Sequence, residues 1–259
     1  MPGQDTTTAN PFNGHPLRIY PFIPPPGITH PSELFVPVAA LNSKTTRFVK
    51  TTDPRGFLIY ATALRFHSQA YGVVKGCAFM YSTPSREQGP GVFGFKLENT
   101  GPYGKVSSDT QGRAELRAII AALEYRWWHQ EGYQLLVVAT DSIYVVEWIT
   151  KYQSFWSDEG WRKSSPQMIL NGDLWDVLVY TLGSMQRLGL QASFWLVPMA
   201  SGLPGDNSVM QKTLNWATKC AHDRDVPAND NFTIFQDTES AAGLLVDGVE
   251  RADEGMDQA

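Results

Sequence analysis

Residues 107–123 read SSDTQGRAELRAIIAAL, and this stretch decides the fold. Its apolar side chains recur at helical spacing, which predicts a helix over about 110–130. Glu115 lies on the same face as Ala118 and Ala122, so its carboxylate stands on an otherwise apolar stripe. A charge in that position needs a metal, water or a basic side chain from elsewhere in the fold. The spacing alone leaves these alternatives open.

A second acid, Asp141, follows the continuous apolar run 135–139 (LLVVA), which is typical of a central strand buried on both faces. Sheets with flanking helices carry their chemistry at the carboxyl ends of such strands, which makes Asp141 a candidate site residue. Asp141-Ser142 also precedes a second helical pattern, so Asp141 is equally well explained as a helix cap.

The remaining pattern predicts an α/β fold with a five-stranded mixed sheet flanked by helices. Short spacers between the first three strands indicate an antiparallel meander, followed by helix 110–130 and then strands 4 and 5. The predicted strands are 57–61, 76–81, 92–97, 135–139 and 192–197, and the later helices are 143–152, 172–187 and 207–221.

Composition sets limits on the function. The 259 residues carry a formal net charge of −5, which by itself disfavours a nucleic-acid partner. The charge is uneven, however: residues 222–259 contain ten acids and two bases (−8), which leaves +3 for residues 1–221. The chain has two cysteines, no apolar run that would span a membrane and no signal-peptide pattern at its start. We therefore expect a cytoplasmic or nuclear protein.

Three regions are expected along the chain. Residues 1–52 are rich in Pro, Thr and Asn and are predicted to form an extended lead-in. Residues 53–221 contain all the periodic segments and are predicted to form the folded domain. Residues 222–259 are predicted to form an acidic, disordered tail.

Several motifs resemble the ribonuclease H family, most closely its fungal-type cellular members, over about residues 53–221. The stretch 107–118 resembles the first-helix motif, and 138–146 (VATDSIYVV) resembles the fourth-strand motif. Residues 160–162 (GWR) and 171–175 (NGDLW) are similar to the substrate-facing loop and the helix after it, and 194–198 (FWLVP) to the fifth strand. Several motifs in the family's order are more specific than any single short pattern.

The resemblance implies a nuclease that cuts the RNA strand of an RNA–DNA hybrid with two Mg²⁺ ions held by converging acids. Glu115 and Asp141 match two of the four acid positions and are therefore candidate catalytic and metal-binding residues, for Mg²⁺ or Mn²⁺. The resemblance also implies that Trp161, Arg162 and Asn171 contact nucleic acid. Packing of Trp161 and helix capping by Asn171 are the competing explanations for those two residues.

The other two acid positions have changed. The family's first-strand motif reads Tyr-Thr-Asp-Gly, and the aligned residues 60–63 read YATA, which puts Thr62 where the family has the acid that bridges both metals. The last-helix acid aligns with Gln211, and residues 207–221 contain no acid at all. Asp206 is a weak replacement, because it is also explained as a loop or cap residue.

These losses predict a ribonuclease H-like pseudoenzyme that serves as a nucleic-acid-binding or protein-scaffold module, whose partner is an RNA–DNA hybrid, a structured RNA or a protein. The alternative is a metal-dependent RNA–DNA hybrid endonuclease with a reduced site of Glu115, Asp141 and Asp206. A third possibility is a subunit of a larger assembly that presents aromatic side chains at an interface.

Overall fold

The computed structural model describes residues 17, 19–39, 46–69, 72–83, 91–107, 109–152, 170–197 and 209–237. Four α-helices occur in these residues: α1 (Gln111–Glu124), α2 (Ile143–Glu147), α3 (Gly172–Arg187) and α4 (Val209–His222). Short 3-10 helices span Pro31–Glu33 and Trp128–Glu131, and a π-helical turn, Trp148–Tyr152, continues α2.

A single mixed sheet organises the described part of the chain. Its eight strands are β1 (Tyr20–Pro21), β2 (Phe35–Ala39), β3 (Thr46–Lys50), β4 (Gly56–Ser68), β5 (Gly72–Met80), β6 (Val92–Lys96), β7 (Leu135–Thr140) and β8 (Gln191–Leu196). The long strand β4 is central, with β7 parallel to it on one edge and β3 and β5 antiparallel to it on the other. β6 extends β5, and β8 lies parallel to β7.

The predicted fold class is confirmed, because β4–β6 form the antiparallel meander and β7 and β8 are the two later strands. The sheet has three strands more than predicted, and all three precede Gly56. The predicted helix over 110–130 is shorter: α1 ends at Glu124, and a separate 3-10 helix begins at Trp128. β4 extends past its predicted end to Ser68, through the exposed residues Arg65, Phe66 and His67, whose mixed polarity does not continue the apolar run 57–61.

The two faces of the sheet are covered by different helices. Alternate residues of β4 point to opposite sides, so Ile59 and Ala61 join a core with α1 and α3, whereas Leu58 and Tyr60 join a second core. α4 packs across β4, β5 and β6. It approaches the sheet so closely at Gly76 that a Cβ there would lie 2.2 Å from a helix carbonyl oxygen.

Segments beyond both ends of residues 53–221 contact this body. β2 pairs with β3, and β3 pairs with β4, so residues 35–39 and 46–50 belong to the sheet rather than to an extended lead-in. Apolar side chains explain the difference, since Phe35 and Phe48 are buried in the second core. At the other end, Phe232 and Phe235 pack on the first core, although the whole of 222–259 was expected to be a disordered tail.

The domain limits themselves stay a prediction, and residues 238–259 lie outside the described residues. In the described part of the chain, no helix combines the length and apolar character that crossing a membrane requires.

Candidate active site

Two neighbouring strands place Thr62 beside Asp141. β4 and β7 are parallel with Tyr60 opposite Ala139; Thr62 lies two residues further along β4, and Asp141 directly follows the end of β7. The Thr62 Oγ1 hydroxyl donates a hydrogen bond of 2.8 Å to Asp141 Oδ1. Thr62 is 1% exposed. The sheet therefore holds a neutral hydroxyl, in contact with the retained acid, where the resemblance predicts a metal-bridging carboxylate.

The first turn of α1 brings Glu115 to the same place. Thr110 caps this helix by accepting the Arg113 backbone N–H at 3.1 Å. One Glu115 oxygen accepts a 2.9 Å hydrogen bond from Gln111 Nε2, which also donates to the Ala63 carbonyl oxygen at 2.9 Å. Gln111 thus ties the helix to β4.

Ser142 links the second Glu115 oxygen to β7 and α2. Its hydroxyl donates a short hydrogen bond to Glu115 Oε2 and accepts the Val145 backbone N–H at 3.1 Å. Ser142, and not Asp141, is therefore the cap of α2. Asp141 therefore does not cap α2, and among the described residues its side-chain hydrogen-bond partner is Thr62.

The partners of both acids are uncharged. Burial raises the pKa of the Glu115 carboxyl, the hydrogen bonds from Ser142 and Gln111 lower it, and the nearby Asp141 charge raises it further. Burial also raises the pKa of Asp141, against a lowering by the Thr62 hydrogen bond. The basic partner that would explain Glu115 as a purely structural residue is absent among its hydrogen bonds and ion pairs in the described residues.

Both acids line an open cavity of about 390 Å³. Its wall is completed by the first residues of α1 and α2 and by the turn before α3: Thr110, Gln111, Gly112, Ser142, Ile143, Tyr144, Leu170 and Asn171. The Tyr144 ring lies so close to Gly112 that a Cβ at that position would be 2.7 Å from the ring. Any larger side chain at 112 would displace the ring, so the glycine and the tyrosine fit each other.

Asn171 shows the strongest sign of a binding role. It is the one described non-glycine residue with a positive φ (61°), a conformation that side chains other than Asn and Asp rarely adopt. It is 8% exposed, and its side-chain Nδ2 has no hydrogen bond of ordinary geometry in the described residues. The amide lies near the Tyr144 hydroxyl and lowers the pKa of that tyrosine. Asn171 precedes α3 without capping it through its side chain, so the simple capping explanation does not hold.

A buried ion pair fixes this asparagine relative to Glu115. Arg113, two residues before Glu115, donates two hydrogen bonds of 3.0 and 2.9 Å to Asp173, two residues after Asn171. The Arg113 side chain is 3% exposed. Such a bidentate pair is geometrically specific, and it holds α1 and α3 in one register.

The donor set does not fit a two-metal centre. In the described residues, no group of three or more His, Cys, Asp or Glu side chains is placed to hold a metal ion. Glu115 and Asp141 together fit one hard cation, because Mg²⁺ retains several waters and binds proteins through one or two carboxylates. Such a cation would compete with the Ser142 and Thr62 hydroxyls for the carboxylate oxygens.

Gln211, the other predicted site residue that the structure describes, does not line this cavity. Gln211 lies on α4, where its amide donates a 3.0 Å hydrogen bond to Asn215 Oδ1. Trp161, Arg162 and Asp206 lie outside the described residues, so their roles stay predictions. Sequence reasoning missed Gln111 and Tyr144. The i, i+4 spacing of Gln111 and Glu115 was the available signal for the first.

Comparison with known proteins finds similarity to ribonuclease H. A family model described as RNase H matches residues 78–191, which include Glu115 and Asp141 but not Thr62 or Gln211. The ribonuclease H of Cyanothece sp. is 37% identical over 75 residues, 29% of this chain and 46% of that protein. The ribonuclease H of Escherichia coli is 35% identical over 102 residues, 38% of this chain and 63% of that protein. The chain thus spans less than two thirds of the length of these curated relatives.

Among solved structures, the solution structure of the PFV RNase H domain is 18% identical, with a TM-score of 0.44. The similarity covers 63% of this chain and 90% of that domain.

Proposed function

We propose that this chain, which is similar to ribonuclease H over residues 78–191, binds nucleic acid in the cleft of Glu115 and Asp141 but has lost ordinary nuclease turnover. The observation that carries this proposal is the hydrogen bond from Thr62 to Asp141. A hydroxyl that donates to the remaining carboxylate competes with a cation for that carboxylate and adds no charge of its own.

The free energy that metal ions contribute to the transition state favours loss of turnover. A metal ion contributes several kcal/mol of charge stabilisation to such a transition state. Since each ~1.36 kcal/mol is about tenfold in rate, weakening two ions at once removes roughly a hundredfold or more. Thr62 and Gln211 each replace one acid that the resemblance implies. We therefore expect residual activity far below that of an enzyme with four acids.

Retention of binding is supported by the other wall of the cavity. A buried Asn171 whose amide nitrogen lacks an ordinary acceptor costs folding energy, and unpaired polar groups of this kind are found where a ligand is held. Nucleic-acid backbones offer phosphate and sugar oxygens as acceptors for amide donors. The Tyr144 ring beside it offers a stacking surface.

The test is binding and cleavage on one preparation of the full chain. An RNA–DNA hybrid, double-stranded RNA and single strands are titrated at about 50 and 200 mM salt, where phosphate contacts weaken strongly. We expect salt-dependent binding without Mg²⁺- or Mn²⁺-dependent cleavage. Absence of binding to all of these nucleic acids would overturn the proposal and favour the protein-scaffold alternative.

Asn171→Gly is the variant that tests whether the cleft binds nucleic acid through Asn171. Glycine keeps the left-handed backbone but removes the amide, so the fold is retained while the proposed donor is lost. We expect affinity for the preferred nucleic acid to fall about tenfold, the effect of one hydrogen bond to a charged group. Unchanged affinity would remove Asn171 from the binding surface.

A hybrid endonuclease with a reduced site is the second candidate, and the curated relatives named ribonuclease H favour it. It requires Mg²⁺- or Mn²⁺-dependent cleavage of hybrid that disappears in both Glu115→Gln and Asp141→Asn. Loss in Asp206→Asn as well would assign the third acid. Cleavage that persists in all three variants would identify a contaminating nuclease.

A further inference from the structure

The last described segment of the chain forms a second cavity on the sheet. Residues 222–229 fold over the start of β5 and the end of β6 and enclose about 290 Å³. The polar part of its lining consists of Lys75, Lys96, Asn99, His222, Arg224 and Asn229, and no Asp or Glu lines it in the described residues. The cavity therefore differs in charge from the acidic cleft of Glu115 and Asp141.

Two of its cations lack a compensating carboxylate. Lys96 Nζ donates a 2.9 Å hydrogen bond to the Val226 carbonyl oxygen, a neutral acceptor. Arg224 has neither a hydrogen bond nor an ion pair through its guanidinium among the described residues. Its sequence neighbours Asp223 and Asp225 do not line the cavity, and Asp223 accepts the Asp225 backbone N–H. A bound anion would supply the missing charge.

The third cation connects this cavity to the acidic cleft. Lys75 Nζ donates to Asn99 Oδ1 at 3.1 Å and to Asp109 Oδ1 at 2.8 Å. Asp109 directly precedes Thr110, which caps α1 and lines the cleft. Lys75 thus links the second cavity to the segment that begins α1, and Thr110 of that segment lines the cleft.

We propose that this second cavity binds a backbone phosphate of the nucleic acid held in the cleft. The inference rests on the proposed function and extends its binding surface. Lysine and arginine donors with two side-chain amides match the oxygens of a phosphate diester. Lys75, His222 and Arg224 lie outside the residues that the family model matches.

Lys96→Gln and Arg224→Gln test the assignment in the full chain. Each removes one charge, and we expect each to weaken binding of the preferred nucleic acid about three- to tenfold and to reduce the slope of log K against log[salt] by about 1. Arg55→Gln is the control, because Arg55 is an exposed arginine at the other end of β4 that pairs with Asp53. It should leave affinity and slope unchanged.

Other outcomes separate the two proposals. If the wild-type chain binds nucleic acid and both variants match Arg55→Gln, the second cavity is not part of the surface and this inference fails alone. If the wild-type chain binds no nucleic acid, the proposed function and this inference fail together. Titration with inorganic phosphate, followed by calorimetry, distinguishes a site for free phosphate from a site for a nucleic-acid phosphate. If both variants lose phosphate binding but keep the wild-type affinity for nucleic acid, the cavity does not bind the nucleic-acid backbone.

Discussion

Glu115 on α1 is half-buried and Glu98 beside α1 is buried, and the fold gives the two acids different partners. Glu98 accepts three hydrogen bonds from Arg117, at 2.7, 3.0 and 3.1 Å, and both side chains are at most 2% exposed. Glu115 lies two residues before Arg117 and faces a different direction, where Ser142 and Gln111 are its donors. One acid has a cation built into the fold, and the other does not.

The surroundings of Arg117 are equally closed. Three phenylalanine rings, Phe95, Phe232 and Phe235, lie 4.3–5.2 Å from its guanidinium carbon, and Thr233 accepts from its Nη2. The Glu115 cavity is open to solvent instead. An enclosed acid with an ion-pair partner, such as Glu98, stabilises the fold. An acid without an ion-pair partner in an open cavity, such as Glu115, lowers stability, as is common at functional sites.

Breaking the ion pair between Glu98 and Arg117 is expected to change the stability of the fold more than any other variant considered. Arg117→Met leaves the Glu98 carboxylate buried without its cation, which costs about 3–5 kcal/mol in similar cases. The free energy of unfolding, measured with urea, should fall by that amount. The double variant Glu98→Leu/Arg117→Met should recover most of it, because replacing both partners of a buried pair by apolar groups is often neutral. A double variant no more stable than the single one would contradict the explanation.

Converting the unpaired site towards a metal centre should give the next largest effect. Thr62→Asp places a second carboxylate beside Asp141, where two like charges demand a cation. We expect Mn²⁺ affinity, measured by calorimetry, to rise at least about tenfold, the change that one added charge of ~1.4 kcal/mol would produce. Thr62→Asn has nearly the same shape without the charge and should bind as weakly as wild type. Equal Mn²⁺ affinity in the two variants would show that the site no longer supports metal binding.

The positions of the candidate site residues could be predicted from the sequence, but not all of their contacts. The position of Glu115 on an apolar stripe and the place of Asp141 after a buried strand followed from periodicity alone, and the structure joins them in one cavity. Periodicity reports burial of single elements, and both residues belong to strongly periodic ones. The contacts with Thr62 and Ser142 did not follow, because Thr62 lies 79 residues from Asp141 and Ser142 lies 27 residues from Glu115. The Gln111 contact had the local i, i+4 signal and was missed.

The ends of the domain were harder to predict for a related reason. Residues 46–50 read TRFVK, which is too short and too polar to stand out, yet Arg47 is fully buried through its ion pair with Glu131, 84 residues away. Phe232 and Phe235 are isolated apolar residues in an acidic segment, so the sequence does not show that they are part of the fold. Their role is visible only in the structure, where both rings pack on the Arg117 guanidinium. Long-range pairing of this kind leaves no local pattern.

The smallest effect expected is a gain in stability at the unpaired site. Burial raises the pKa of Glu115, so the folded state holds its proton to higher pH than the unfolded state, and stability is lost as the pH rises through that range. Glu115→Gln removes this loss, and we expect Tm at neutral pH to rise by about 2–4 °C. Below the ordinary glutamate pKa both states are protonated, so the difference should vanish. Glu147→Gln, at an exposed acid paired with Lys151, should show no such rise. A Glu115→Gln variant less stable than wild type at neutral pH would mean that its carboxylate has a cation after all.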